Sequence, residues 1–218
     1  NIHGFDFSPD GTRIIFSEDP GPDIKIISIT GKLIKTIPNT TGYLFPAWSP
    51  NGQYFVCDDG GTELYIFDFD GNLIDQTGNG LNLRYANWHP NGNYLVSTEA
   101  NFVYTVPVAG IQSEYTNIHP SGGGDYYPSY SRDGNSIVFY ISGTPSINTI
   151  SSDGSNVKSN IHTAVFGPCY FSKDGNYIYF LYNNGSSYTT VWKCGTDGSN
   201  GHELFDPGPD LTYFRLKP

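Results

Sequence analysis

Five copies of one short corner, evenly spaced, constrain what this 218-residue chain can fold into more than any other feature. The copies are "FDFSPDGTRIIF" (Phe5–Phe16), "AWSPNGQYFV" (Ala47–Val56), "NWHPNGNYLV" (Asn87–Val96), "SYSRDGNSIVF" (Ser129–Phe139) and "YFSKDGNYIYF" (Tyr170–Phe180). Each runs from an aromatic residue (Phe7, Trp48, Trp88, Tyr130, Phe171) through Ser or His and Pro, Arg or Lys, to Asp or Asn and then Gly. The corner pairs are Asp10-Gly11, Asn51-Gly52, Asn91-Gly92, Asp133-Gly134 and Asp174-Gly175, and their glycines are 41, 40, 42 and 41 residues apart. Gly31, Gly71, Gly110, Gly154 and Gly198 form a second series, 18 to 23 residues behind the first. Asp-Gly and Asn-Gly corners join antiparallel strands, because Gly accepts positive φ and Asp or Asn accepts local backbone hydrogen bonds. Two such hairpins per repeat predict four short strands per repeat. In the first they fall near Gly4–Phe7, Arg13–Ser17, Ile24–Ile29 and Lys32–Ile37; in the second, near Leu44–Trp48, Tyr54–Cys57, Glu63–Asp68 and Asn72–Gln76.

That pattern predicts an all-β, five-bladed β-propeller of four-stranded antiparallel blades, built as one domain over 1–218. The repeats cover approximately 3–40, 41–80, 81–120, 121–163 and 164–207. The aromatic before each corner is expected to pack between blades. Counting 18 residues from Gly198, the usual step to the next corner's Ser, reaches Leu216. Residues 208–218 therefore read as a spare inner strand, with Thr212, Tyr213, Phe214, Arg215 and Leu216 as candidate binding residues. Three arrangements fit: a tail that closes its own ring, a piece of a propeller with six or more blades, or a strand donated to a neighbouring copy. The missing initiator Met suggests a processed chain or a fragment.

The repeat "P-x-[WY]-S-P-[DN]-G-x-x-[IL]-x-F", followed by "x-[IL]-Y-x-x-x-x-D-G", resembles the TolB-like, or WD40-like (PD40), β-propeller repeat. Phe45–Ile74 is the best copy, and the resemblance extends over nearly the whole chain. It implies the propeller fold and leaves function open, because such repeats serve envelope partners of lipoproteins and peptidase propeller domains alike. His89 in place of Ser, and Arg132 and Lys173 in place of Pro, depart from the pattern.

The net charge is −10, with no basic run, which disfavours nucleic acid and anionic membranes as partners. No apolar segment is long enough to span a bilayer, so no membrane insertion is expected. Cys57, Cys169 and Cys194 read as small buried hydrophobes. Two N-glycosylation sequons (Asn39–Thr41, Asn184–Ser186) and the polar, Tyr-rich composition lean toward a secreted, extracellular or cell-envelope location.

Candidate chemistry is sparse. His3, His89, His119, His162 and His202 form no zinc spacing, no nucleophile elbow occurs, and "DFDGN" (Asp68–Asn72) lacks the distal Glu of a calcium loop. A glycosidase needs paired channel carboxylates. Asp6 is the one inner-strand candidate, Asp125 stands at a strand start, and the slots equivalent to Asp6 hold Ala47, Asn87, Ser129 and Tyr170. The expectation is a protein with no catalytic residues, metal or cofactor. It reads as a binding or assembly scaffold for a protein partner, including copies of itself. A carbohydrate-binding propeller is the alternative, and a glycoside hydrolase a distant one.

Overall fold

The computed structural model describes residues 2–18, 23–61, 63–78, 80–99, 102–109, 111–112, 114–119, 124–183, 189–207 and 214–216. Twenty strands form five four-stranded meanders. Blade 1 is β1 (Ile2–Phe7), β2 (Arg13–Glu18), β3 (Lys25–Ser28) and β4 (Leu33–Thr36). Blade 2 is β5 (Leu44–Trp48), β6 (Tyr54–Asp58), β7 (Leu64–Asp68) and β8 (Leu73–Gln76). Blade 3 is β9 (Arg84–Trp88), β10 (Tyr94–Glu99), β11 (Phe102–Pro107) and β12 (Thr116–His119). Blade 4 is β13 (Asp125–Tyr130), β14 (Ser136–Ile141), β15 (Ser146–Ser151) and β16 (Lys158–Thr163). Blade 5 is β17 (Val165–Phe171), β18 (Tyr177–Asn183), β19 (Thr189–Gly195) and β20 (His202–Phe205). All pairings are antiparallel, and the expected five-bladed propeller is the observed architecture.

Each corner is a small hydrogen-bonded network. In the first, Ser8 Oγ donates to Asp10 Oδ1 (2.6 Å) and accepts the Arg13 N–H (3.0 Å), while Gly11 N–H donates to the Ser8 carbonyl (2.7 Å). The corner glycines stand at φ between 66° and 77°, a region that costs a residue with a Cβ. His89 preserves the turn in the third copy, because its Nδ1 accepts the Asn91 N–H (3.1 Å). Its ring also packs edge-on against Tyr130 at 4.7 Å and fills the space beside Gly134, where an added Cβ would lie 2.3 Å from Nε2. The departure from Ser is thus a blade 3–blade 4 contact.

Four apolar clusters hold the ring. Ile15, Ile26, Trp48 and Phe55 join blade 1 to blade 2. Ala47, Val56, Trp88 and Leu95 join blade 2 to blade 3. Val96, Tyr130, Ile137 and Phe139 join blade 3 to blade 4. Val138, Tyr140, Cys169 and Phe180, with half-buried Phe171 packed against them, join blade 4 to blade 5. Five blades have five junctions, and none of these clusters spans blade 5 to blade 1. Inner strands contact directly at β1–β5, β5–β9, β9–β13 and β13–β17, and no contact of that extent joins β17 to β1 among the described residues. Blade 1's face opposite Ile15 presents Phe5, Phe7 and Ile14, all half-buried. The three cysteines are free and buried. No helix among the described residues is long and apolar enough to cross a membrane.

Candidate functional site

The propeller axis is filled from two sides. Every inner strand carries a bulge against its neighbour. In blades 2, 3 and 4 the bulge residues Phe45, Tyr85 and Tyr127 take φ of 51°, 56° and 54°. Bulky side chains rarely occupy this left-handed region, where Gly is the usual bulge residue, and each costs on the order of 1–3 kcal/mol. The strain puts three aromatic rings together: Phe45 and Tyr85 at 4.7 Å, Tyr85 and Tyr127 at 4.3 Å. Burial pushes the Tyr85 hydroxyl above its ordinary range, opposed by Tyr127 and Arg84. Blade 1 makes room, since a Cβ on Gly4 would lie 2.8 Å from Phe45 Cδ1. The sequence reading missed this trio. Its signal was an aromatic three residues before the corner aromatic in the second, third and fourth repeats alone.

Carboxylates tether neighbouring blades beside the trio. Asp58, at the end of β6, accepts the Tyr85 N–H of blade 3 (3.1 Å) and the Gly60 N–H (3.0 Å). Burial raises its pKa to about 6 against these hydrogen bonds. The sign follows: between about pH 4 and pH 6 the folded protein holds a proton that the unfolded chain has released, so stability falls as pH rises through that window. We expect wild type to gain about 1 kcal/mol relative to Asp58→Asn when pH drops from 7 to 5, read from urea midpoints. Parallel curves for the two proteins would refute this.

Asp6 is the second tether. Its Oδ2 accepts the Trp48 N–H of blade 2 (2.9 Å) and its Oδ1 the Phe7 N–H (2.8 Å). Oδ1 also pairs with Arg215 Nε at 2.8 Å. The Arg215 guanidinium lies over the Tyr170 ring of blade 5, 4.9 Å from its centroid, and Phe214 meets the same ring edge-on at 5.3 Å. The tail thus bridges blade 1 and blade 5, the junction that no apolar cluster spans among the described residues. Burial pushes the Asp6 carboxyl above its ordinary range, opposed by the Arg215 charge and the two backbone N–H groups.

Phe214, Arg215 and Leu216 make no sheet pairing and lie in the chain's own channel, so no sixth inner strand exists among the described residues. Each inner strand ends its sheet, with one edge unpaired in the sheet order, and side-chain contacts rather than pairing hold residues 214–216. Thr212 and Tyr213 lie outside the described residues. Around the tail opens a cavity of about 470 Å³, to which all five blades contribute. Its rim carries the third corner residue of each repeat: Pro9, Pro50, Pro90, Arg132 and Lys173.

The corner residues Asp10, Asn51, Asp133 and Asp174 all accept the hydroxyl of their own corner serine. Trp48, Trp88 and Tyr130 are buried, each in the cluster shared with the preceding blade, while Phe7 is half-buried at the junction without one. Asp68 binds the Asp70 and Asn72 N–H groups as a turn. Among the described residues no cluster of three or more His, Cys, Asp or Glu side chains could hold a metal. Asn39 is exposed at φ 61°, and the second sequon lies outside the described residues.

No family model and no curated protein matches the chain. Solved structures do. A TolB-assigned protein from Agrobacterium tumefaciens aligns at TM-score 0.77 and 20% identity, over 94% of this chain and 81% of that one. Hydrazine synthase from Kuenenia stuttgartiensis aligns at 0.78 and 16%, over 97% and 68%. The Cps50 β-propeller domain from Myceliophteria thermophila aligns at 0.73 and 13%, over 94% and 71%. These likenesses extend from a TolB to an enzyme, and they establish the fold alone: the chain is a β-propeller.

Proposed function

We propose that this chain is a non-enzymatic protein-binding scaffold, acting at the cell envelope or outside the cell, whose docking face is the corner end of the channel. One observation carries the reading. That face already seats a peptide, Phe214–Arg215–Leu216, through a carboxylate, an aromatic ring and an open cavity of about 470 Å³. The chemistry it accepts is an aromatic residue followed by arginine. Aromatic and Arg anchors are the side chains that dominate protein interfaces. The comparison structures include a TolB, and the non-catalytic reading rests on Asp6, whose two oxygens are both engaged. A second copy's tail entering this face in trans would give self-assembly.

The test is a labelled peptide of sequence TYFRLKP. It should bind the Arg215→Ala protein, whose own tail is loosened, at least about tenfold tighter than wild type. Adding Asp6→Asn should remove the gain. Equal, weak binding to all three proteins would refute the docking face.

Carbohydrate binding is the second reading, favoured by the cavity of about 450 Å³ at the opposite mouth, where Phe45, Tyr85, Tyr126, Tyr127 and Phe166 converge beside His3, with no Asp, Glu, Lys or Arg among the described lining residues. Methyl glycosides that bind wild type but not Phe166→Ala would move the function to that mouth.

A further inference from the structure

Among the described residues four cations stand in ion pairs. Arg13 lies against Asp10, Lys25 against Glu18, Lys35 against Asp70 and Arg215 against Asp6. Blades 4 and 5 instead gather three cations at one groove. The third corner residue is Pro in the first three repeats but Arg132 and Lys173 in the last two, and these line both the channel mouth and a groove of about 640 Å³ between blades 4 and 5. Lys158 lines the same groove. Among the described residues none of the three forms an ion pair.

The groove is not acid-free, because Asp133 and Asp174 also line it and the Asp197 charge is felt at Lys158. Three of their four carboxylate oxygens, however, accept hydrogen bonds inside their own turns. Asp133 Oδ1 accepts from Ser131 Oγ (2.6 Å) and the Asn135 N–H (3.1 Å), and Oδ2 from Asn135 Nδ2 (2.9 Å). Asp174 Oδ1 accepts from Ser172 Oγ (2.5 Å) and the Asn176 N–H (3.1 Å). The two carboxylates stay charged but are turned largely to their own corners, while a guanidinium fork and two ammonium groups keep donors available. Such a surface takes an acceptor-rich anion, and Arg forks match carboxylates in particular.

We infer that the blade 4–blade 5 groove binds a carboxylate-bearing segment of the protein partner, continuous with the channel face through Arg132 and Lys173. This rests on the scaffold reading above and adds the partner's charge. An aromatic–Arg anchor enters the channel, and an Asp- or Glu-rich stretch leaves across blades 4 and 5. The net charge of −10 makes that preference unusual for this protein, and at physiological ionic strength the Debye length of about 8 Å confines the opposing field.

A fluorescent hexaglutamate peptide is the probe, with hexaglutamine as the neutral control, titrated into the full chain at physiological salt. Hexaglutamate should bind and hexaglutamine should not. The exposed Arg132→Glu/Lys173→Glu double variant should lose at least about tenfold in affinity with an unchanged Tm. No binding, equal binding to the double variant, or full displacement by inorganic phosphate at the same charge concentration would overturn the inference. The TYFRLKP titration reads the channel face separately, so failure of the groove and failure of the scaffold reading remain distinguishable.

Discussion

Arg215→Ala should destabilise the protein by about 3–5 kcal/mol, because it leaves the Asp6 carboxylate buried without its cation. Asp6 is buried and Arg215 half-buried, with side-chain exposures of 10% and 16%, so removing one partner costs far more than at the surface. The Tyr170 ring loses its cation as well. For a chain of this size the loss corresponds to a Tm drop on the order of 10 °C. Arg215→Lys should recover only part of it, because an ammonium cannot donate from the Nε position that meets Asp6 Oδ1. Replacing both partners with apolar residues of similar volume, Asp6→Leu with Arg215→Met, should restore much of the stability. If Arg215→Ala melts with wild type, the tail does not hold the ring.

The second large effect separates positions that the repeat makes equivalent. Trp88 and Phe7 occupy the same slot, yet Trp88 is buried in a cluster and donates its Nε1–H to the Ala47 carbonyl at 3.0 Å. Phe7 sits half-buried at the junction without a cluster. Trp88→Ala should cost about 3–5 kcal/mol, and Phe7→Ala about 1 kcal/mol. Denaturant midpoints of the two variants check this. Equal losses would mean that the blade 5–blade 1 junction is packed like the other four, and that the tail is not needed to close it.

The blades were legible because their cause is local. A Ser, an Asp or Asn and a Gly within four residues close the corner network by themselves, so the observed ends of β1, β2, β5, β6 and β7 lie within two residues of those expected. The third and fourth strands of blade 1 are shorter than expected, because Gly31 N–H bonds to the Ser28 carbonyl and the turn takes in Ile29. The axis was not legible. The left-handed backbone of Phe45, Tyr85 and Tyr127 is imposed by bulges whose register depends on the neighbouring strand. The tail was half legible. Counting from Gly198 points to an inner position for Leu216, and Leu216 lines the channel mouth, but residues 214–216 are held there by the side chains of Arg215 and Phe214 and not by strand pairing. Arg132 and Lys173 were visible as departures from Pro; what they share is a groove, which only the assembled blades create.

Hydrogen exchange on Arg215→Ala, strand by strand, tests most directly whether the tail joins the ends of the ring. The account predicts that β1 and β17, which Arg215 bridges through Asp6 and Tyr170, lose amide protection together while β9, β10 and β11 keep theirs. Unchanged protection in β1 and β17, or an even loss across all five blades, would contradict it.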